Sequence, residues 1–474
     1  MTPDRLCVTI LYIILTVHWQ AARSRIKAPP ADRRKAVSHG KARYFKLERT
    51  YIAEVKPGST VKIQGFVENL RNKRTMAFLV IRDISGKIQV TLEKEKSAEM
   101  SAVVDKLTID SVVTIEGEAV ANDYVKLGGI EILPSDIRIE SIADALPIKP
   151  DSAIDSRLDY RWVDLRTERN TLIFKLQTDM VAAMRQFLLD HHFLEFHSPK
   201  IIGAASESGS EVFKLNYFDR DAYLAQSPQF YKQMAMAAGF ERVFEVAPVF
   251  RAEKSHTSKH ATEFTGLDLE FSYIDSFRDV MKFEEDMITD MMEKVVPKYA
   301  DDIKRLYGLD TVAPTKPFPA MSVADIYREL EARYGYTAPE SEKGDLTTDA
   351  ERMTYKLAKE MFGHEFLFVT DFAADKRPFY HMRKDGVPQG YDLIWRGVEI
   401  TSGAQREHRY AELCANAAEK GLGEDVKFYT EFFRYGCPPH GGFGVGVDRL
   451  TMLFLGISIK EAEFIFRGPD RLTP

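Results

Sequence analysis

Cysteine is scarce in this 474-residue chain: Cys7, Cys414 and Cys437 lie far apart and lack the paired spacing of a zinc site. A disulfide framework and a structural zinc are excluded, and a reducing compartment such as the cytoplasm is the expected setting. No apolar run reaches the ~20 residues of a membrane-spanning helix. The run LCVTILYIILTV at 6–17 stops short of that and is followed by a basic, proline-containing stretch. It has the look of a secretory h-region, but WQAARS is a poor cleavage site. Residues 1–47 are therefore read as an organelle leader, a tether, or translated sequence ahead of a true start near Lys46. A strong overall charge is also missing. The net charge is −6, and because residues 1–47 carry about +8, the remainder is near −14. A polyanionic partner must then meet local basic patches, and neither DNA nor a membrane is expected to bind the folded part.

What is present is a polar loop too long for its hairpin. Arg242 to Tyr273, RVFEVAPVFRAEKSHTSKHATEFTGLDLEFSY, alternates apolar side chains over Val243–Arg251 and Phe264–Tyr273. Two strands are expected, joined by roughly ten residues where a simple hairpin uses two to five. The surplus implies binding. Arg251 and Glu253 share one strand face at the loop root, with Lys254, His256, Lys259 and His260 following. An arginine fork suits a phosphate, and a neighbouring carboxylate can accept from an amino group such as that of adenine.

Five short strands are predicted nearer the amino terminus, at Val61–Val67, Ala77–Asp83, Lys87–Leu92, Val112–Ala121 and Ile130–Ile139, with a helix over Ala98–Leu107 between the third and fourth. That order is the pattern of an OB-fold, whose open face commonly binds single-stranded nucleic acid. Phe78 could stack on a base and Gln89 read its edge, although without a further nucleic-acid motif a phenylalanine here is more readily plain core. Lys62, Arg71, Lys73 and Arg74 form either a solvated face or a phosphate track. After a proline-spotted hinge at 141–169, a helix capped by Asn170 or Thr171 is expected, with Leu172, Leu176, Met180, Met184 and Phe187 on its core face.

The carboxy-terminal half carries motifs in order: FLEFHSP ending at Pro199, FRAE at 250–253 with KHATEF at 259–264, and GFGVGVDR at 442–449. Together they resemble the class II aminoacyl-tRNA synthetases, and among these the aspartyl branch of archaeal and eukaryotic type, over residues 50–474. Residues 275–365 hold one Met-rich helix and modest loops, with no room for the large bacterial insertion. The resemblance implies an α+β protein. An OB-fold barrel at 48–140 would read the tRNA anticodon, and a catalytic domain at 170–474 would hold an antiparallel sheet flanked by helices. The chain would act as a homodimer through the segment around Pro199.

It also implies a reaction and a set of roles. Aspartate attacks the α-phosphorus of ATP to give aspartyl-adenylate and pyrophosphate, and a tRNA-Asp hydroxyl then takes the aspartyl group, with tRNA-Asn a second acceptor left open. Arg251, Glu399 and Arg449 would be catalytic. Arg251 would hold the α-phosphate, Glu253 the adenine amino group, Phe264 and Arg449 the two adenine faces and His260 the outer phosphates; Lys259, Ala261, Glu399 and Gly446 would complete the ATP contacts. Mg2+ would take oxygens from Asp392, Glu399 and Ser402. Lys232 and Arg406 would grip the side-chain carboxylate of L-aspartate, Glu207, Gln229 and Asp268 its α-amino group, and Ser402 would complete the pocket. Phe78 and Gln89, eleven residues apart, would read the central anticodon uracil. Glycines at 442, 444 and 446 leave one strand face bare for a flat base or ribose.

Four positions depart from the family pattern: Lys259, Ala404, Asp448 and the IFRGPDR segment near the end. The nearest rival is asparaginyl-tRNA synthetase, disfavoured by Lys232 and by KRPFY at 376–380. A barrel-less asparagine synthetase is disfavoured by residues 50–140, and a non-catalytic RNA-binding paralogue by intact Arg251, Glu253, Glu399 and Arg449.

Overall fold

The computed structural model describes residues 48–203, 211–254, 257 and 259–474. The expectations for residues 1–47, Glu207 and His256 lie outside the described residues. The chain divides into two compact units between Ala143 and Asp144.

The first unit is a closed barrel of β1 (Thr60–Asn72), β2 (Met76–Arg82), β3 (Lys87–Glu93), β4 (Val112–Ala121) and β5 (Ile130–Ser141), in the order β1-β2-β3-β5-β4, with α1 (Ala98–Val104) between β3 and β4. Period-2 alternation drives it: Ala77, Leu79 and Ile81 of β2 and Ile88, Val90 and Leu92 of β3 all face the core. Phe78 and Gln89 therefore share the outer face, where Phe78 pairs with Thr91 and Gln89 with Val80. Glu131, held ionised by Thr91 and Asn122 despite its burial, fixes the Gln89 amide at 3.1 Å. Of the four basic residues considered for a phosphate track, Lys62 is buried against Glu116 while Arg71, Lys73 and Arg74 are exposed.

The second unit is an eight-stranded sheet with helices against it. Its strands are β6 (Leu194–Glu195), β7 (Arg242–Phe250), β8 (Glu263–Ser272), β9 (Ala320–Ser322), β10 (Phe366–Thr370), β11 (Gly390–Trp395), β12 (Val398–Gln405) and β13 (His440–Gly446), ordered β9-β10-β11-β12-β13-β8-β7-β6. Pairing is antiparallel at the centre and parallel at both edges, β6 on β7 and β9 on β10. The long helices α2 (Glu168–Asp190) and α4 (Phe277–Tyr307) share one core with the sheet. All five residues expected on the α2 stripe are buried.

The α2 cap differs from expectation. Thr167 is the N-cap and accepts from the Asn170 N–H at 3.2 Å. Asn170 lies inside the helix because its side-chain amide donates to Asp164 O at 2.8 Å, which holds the preceding turn. The charged part of the hinge is likewise folded. Ile154–Asp159 and Arg161–Asp164 are short helices, and buried Arg161 pairs with Asp164 at 2.5 Å and donates to the carbonyls of Glu461, Glu463 and Phe464. This clamp orients the carboxy-terminal segment whose IFRGPDR sequence departs from the pattern.

Fully buried Glu284 of α4 accepts hydrogen bonds from Tyr391 Oη at 2.6 Å and from Thr401 Oγ1. Burial, with Asp392 adding to it, pushes its pKa up to about 8 against those two bonds. From the ordinary value of 4.5 up to about 8, the folded chain thus holds a proton the unfolded chain has released. Stability contributed at this site falls as pH rises through that window. Glu284→Gln is expected to flatten the slope, so that its melting temperature relative to the parent is about 3 °C or more higher at pH 8 than at pH 5. Equal offsets at both pH values would refute the assignment.

Candidate active site

One cavity of about 410 Å3 is bounded by β8, β12, β13, the end of β7 and α3 (Gln229–Ala237). Glu207 aside, every catalytic-site residue expected from the sequence lines it except Asp392.

The hairpin forms as expected, with β7 and β8 paired from Arg242–Phe271 to Phe250–Glu263. Backbone bonding continues past the strand end, Arg251 N–H donating to Thr262 O at 2.9 Å, so the loop leaves from a fixed root. The Arg251 guanidinium lies 5.4 Å from the Phe264 ring centroid, a cation beside an aromatic platform. Lys259 is held by Glu351 of α5 (Thr348–Phe362) at 2.6 and 2.8 Å, and the same carboxylate accepts from the Glu399 N–H at 2.8 Å. A phosphate bound by Lys259 must therefore compete with Glu351. Burial and the nearby Arg449 lower the pKa of His260, keeping its imidazole uncharged at neutral pH.

At the other end of the cavity, Lys232 and Arg406 are buried around one carboxylate. Glu270, wholly inaccessible, receives Arg406 Nε at 3.0 Å and stands 3.3 Å from Lys232 Nζ. Burial alone would raise its pKa, yet Arg406 and Lys232 hold it below the ordinary value. Asp268, two residues earlier on the same strand face, lies 3.1 Å from Lys232 Nζ. Gln229 donates to Gln233 Oε1 at 2.8 Å, and Gln233 donates to His440 Nε2 at 2.9 Å. This relay fixes the Gln229 amide with its oxygen free of that bond.

The alternating glycines of β13 have a different use from the one expected. Gly442 pairs with Glu270 and Gly444 with Asp268 across the strands. A Cβ at 442 would lie 2.5 Å from Glu270 Oε2, and one at 444 would lie 2.8 Å from Asp268 Oδ1. Two of the three gaps thus house the protein's own carboxylates. Only Gly446, opposite Gly266, keeps its face open, beside the Arg449 side chain.

Asp392 also departs from expectation. Both its oxygens accept from Arg377, at 2.9 and 2.5 Å, and it is not among the residues that line the cavity. Among the described residues no cluster of three or more His, Cys, Asp or Glu could hold a metal. Of the expected set Glu399 and Ser402 line the cavity, and these oxygens suit a magnesium ion that brings phosphate oxygens and waters as further ligands. The Glu399 pKa is raised above the ordinary value by its enclosure at the cavity wall and by Asp392, with Arg449 opposing. Arg449 donates to Glu399 O at 3.0 Å, tying the third motif to β12.

Residues 153–465 match the family model of tRNA synthetases class II (D, K and N), and residues 61–140 match that of the OB-fold nucleic acid binding domain. The chain belongs to the class II tRNA synthetases. It is 41% identical to the aspartate–tRNA(Asp/Asn) ligase of Methanopyrus kandleri over 90% of this chain and 100% of that one. It is 38% identical to the aspartate–tRNA(Asp) ligase of Pyrococcus horikoshii, over 89% and 98%. The asparaginyl-tRNA synthetase of P. horikoshii, solved with asparaginyl-adenylate, superposes with a TM-score of 0.82 at 31% identity, covering 90% and 100%.

Reasoning from sequence missed several residues of this class II site. Glu270 could have been found, since it lies two positions from Asp268 on one strand face. Asp448, noted only as a departure, is buried where it accepts from the Thr265 N–H at 2.7 Å and Gln177 at 2.8 Å, bracing β8 against α2. Arg377 lies in the KRPFY segment, read from the sequence only as a mark against the asparaginyl rival, and His381 and Glu351 lie between the motifs where no local pattern marks them.

Proposed function

We propose that this class II synthetase ligates L-aspartate to tRNA-Asp through an aspartyl-adenylate, using ATP and Mg2+, as a homodimer in the cytoplasm. The observation that carries the choice of aspartate is the shared carboxylate. Two buried cations, Lys232 and Arg406, face two carboxylates, Glu270 and Asp268, so once a substrate α-ammonium group neutralises Asp268 this end of the cavity holds one positive charge beyond balance. A substrate carboxylate neutralises it. Asparagine would leave it desolvated and unpaired, which favours aspartate by several kcal/mol in order of magnitude. Asp268 and the Gln229 oxygen then suit the α-ammonium group.

In this reading ATP lies along Phe264 toward Arg449, with Glu253 accepting from the adenine amino group. Arg251 meets the α-phosphate and His260 the outer phosphates. Attack of one anion on another is slow unless cations neutralise the developing charge and the reactants are held in line. Arg251 serves the first need and the Lys232–Arg406 grip the second. Mg2+ on Glu399 and Ser402, with Asp392 as the third expected oxygen ligand, would supply further neutralisation of phosphate charge. The dimer reading is supported by edge strand β6 and by Leu194 and Ile201, exposed on either side of Pro199. No helix among the described residues is long and apolar enough to cross a membrane.

Exchange of labelled pyrophosphate into ATP tests the reading. Aspartate is expected to support it, and exchange with asparagine instead, or none, would overturn it. Charging purified tRNA-Asp and tRNA-Asn side by side measures the range of acceptors. For the barrel, Phe78→Ala is expected to raise the KM for tRNA by about 10- to 100-fold, the value of one base stack. Exchange measured without tRNA should be unaffected; an unchanged KM for tRNA would remove Phe78 from the anticodon site.

A further inference from the structure

We propose that His381, which belongs to none of the three motifs, is a positioning residue for Arg406 that leaves the guanidinium charge available to the side-chain carboxylate of the amino-acid substrate. This rests on the aspartate reading above. Arg406 is buried and gives its donors to three acceptors: Nε to Glu270 Oε1 at 3.0 Å, Nη2 to Gly442 O at 2.9 Å, and Nη1 to His381 Nε2 at 3.2 Å. A guanidinium cannot accept, so His381 Nε2 must, and the ring proton belongs on Nδ1. Burial and three surrounding cations, Arg406, Arg377 and Lys232, hold the imidazole uncharged.

The choice of acceptor matters because of the charge balance. Glu270 already cancels one of the two positive charges. With Asp268 answering the substrate ammonium group, a further carboxylate against Nη1 would cancel the other and make the side-chain end neutral, suited to an amide rather than a carboxylate. An apolar side chain would leave a buried guanidinium donor unpaired and one edge of the arginine unrestrained. A neutral imidazole fixes the guanidinium without consuming its charge.

Two features indicate that the ring is kept at this place for more than packing. His381 Nδ1 is buried without a hydrogen-bond partner among the described residues, a destabilising condition. The ring also requires glycine beneath it: a Cβ at Gly390 would lie 2.8 Å from Nδ1 and 3.1 Å from Cε1. Backbone bridging of His381 to Arg406 sets the two side chains together.

The test measures kcat and KM for aspartate, and exchange with asparagine, in the full-length chain and three variants. His381→Leu is expected to raise the KM for aspartate by about 10- to 100-fold, the value of a hydrogen bond to a charged group. Because lost positioning weakens ground and transition states alike, kcat should change by less than about threefold. His381→Gln, whose amide oxygen can reach the Nε2 position, should recover most of the loss. His381→Glu should narrow the aspartate-to-asparagine ratio further than His381→Leu does. The proposal is overturned if His381→Leu keeps the parent KM for aspartate, or if His381→Gln is as impaired as His381→Leu with an equal rise in KM for ATP. Should His381→Leu fail to give a cooperative melt, the glutamate variant decides, an unchanged ratio overturning the proposal. Absence of aspartate-dependent exchange in the parent would instead refute the underlying reading, before any variant is compared.

Discussion

Lys232→Met is expected to lower kcat/KM for aspartate in pyrophosphate exchange by about 100- to 1,000-fold while leaving ATP binding in place. Lys232 is 1% exposed and lies 3.1 Å from Asp268 and 3.3 Å from Glu270. Removing one partner of a buried charge pair costs about 2–5 kcal/mol, and each 1.4 kcal/mol is tenfold. Methionine nearly matches the lysine stem in length, so packing is kept and charge is lost. With Asp268 answering the substrate ammonium group and only Arg406 against Glu270, the side-chain end becomes neutral, and discrimination against asparagine should narrow with the loss of activity. A lowered melting temperature is expected as well, because Glu270 and Asp268 then face each other with one cation fewer. ATP binding separates these effects, since Arg251, Phe264 and Arg449 do not touch Lys232 in any contact described above. Aspartate activation surviving at the parent level would refute the account of selectivity.

Arg251→Ala should show the complementary behaviour. It is expected to reduce kcat for exchange by about 100- to 1,000-fold, the typical cost of removing one preorganised donor to developing charge, with a smaller change in KM for aspartate. The residue sits at the root of the loop, exposed toward the cavity and beside Phe264, where truncation empties no core. Stability should therefore hold, and a parent-like melting curve accompanied by lost kcat is the diagnostic pair. Arg251→Lys is expected to recover little, because an ammonium lacks the planar fork that meets two phosphate oxygens. A kcat within about threefold of the parent in Arg251→Ala would remove this residue from the chemistry.

Much of this was legible before any coordinates, for physical reasons that differ by region. Strand alternation marked all five barrel strands and both arms of the hairpin, because one buried face imposes a period of two on the side chains. The stripe from Leu172 to Phe187 was equally plain as a helix. Its cap was misread by three residues, since Thr167 and Asn170 are both good capping residues and only the fold of the preceding turn decides between them.

The sequence by itself thus determined the two architectures, the motif order and the residue types that gather at the cavity. Tertiary structure alone decided how those residues pair. Nothing local says that Asp392 pairs with Arg377, or that Lys259 is held by Glu351 on a helix 92 positions away. The glycines of β13 looked like room for a ligand, and became room for Asp268 and Glu270 only once β8 was laid beside them. Charge balance in the subsite depends on such encounters, because Lys232, Glu270, His381 and Arg406 come from separate elements and meet only when the sheet closes. A buried charge is governed by its nearest partners in space, and chain order does not encode those partners.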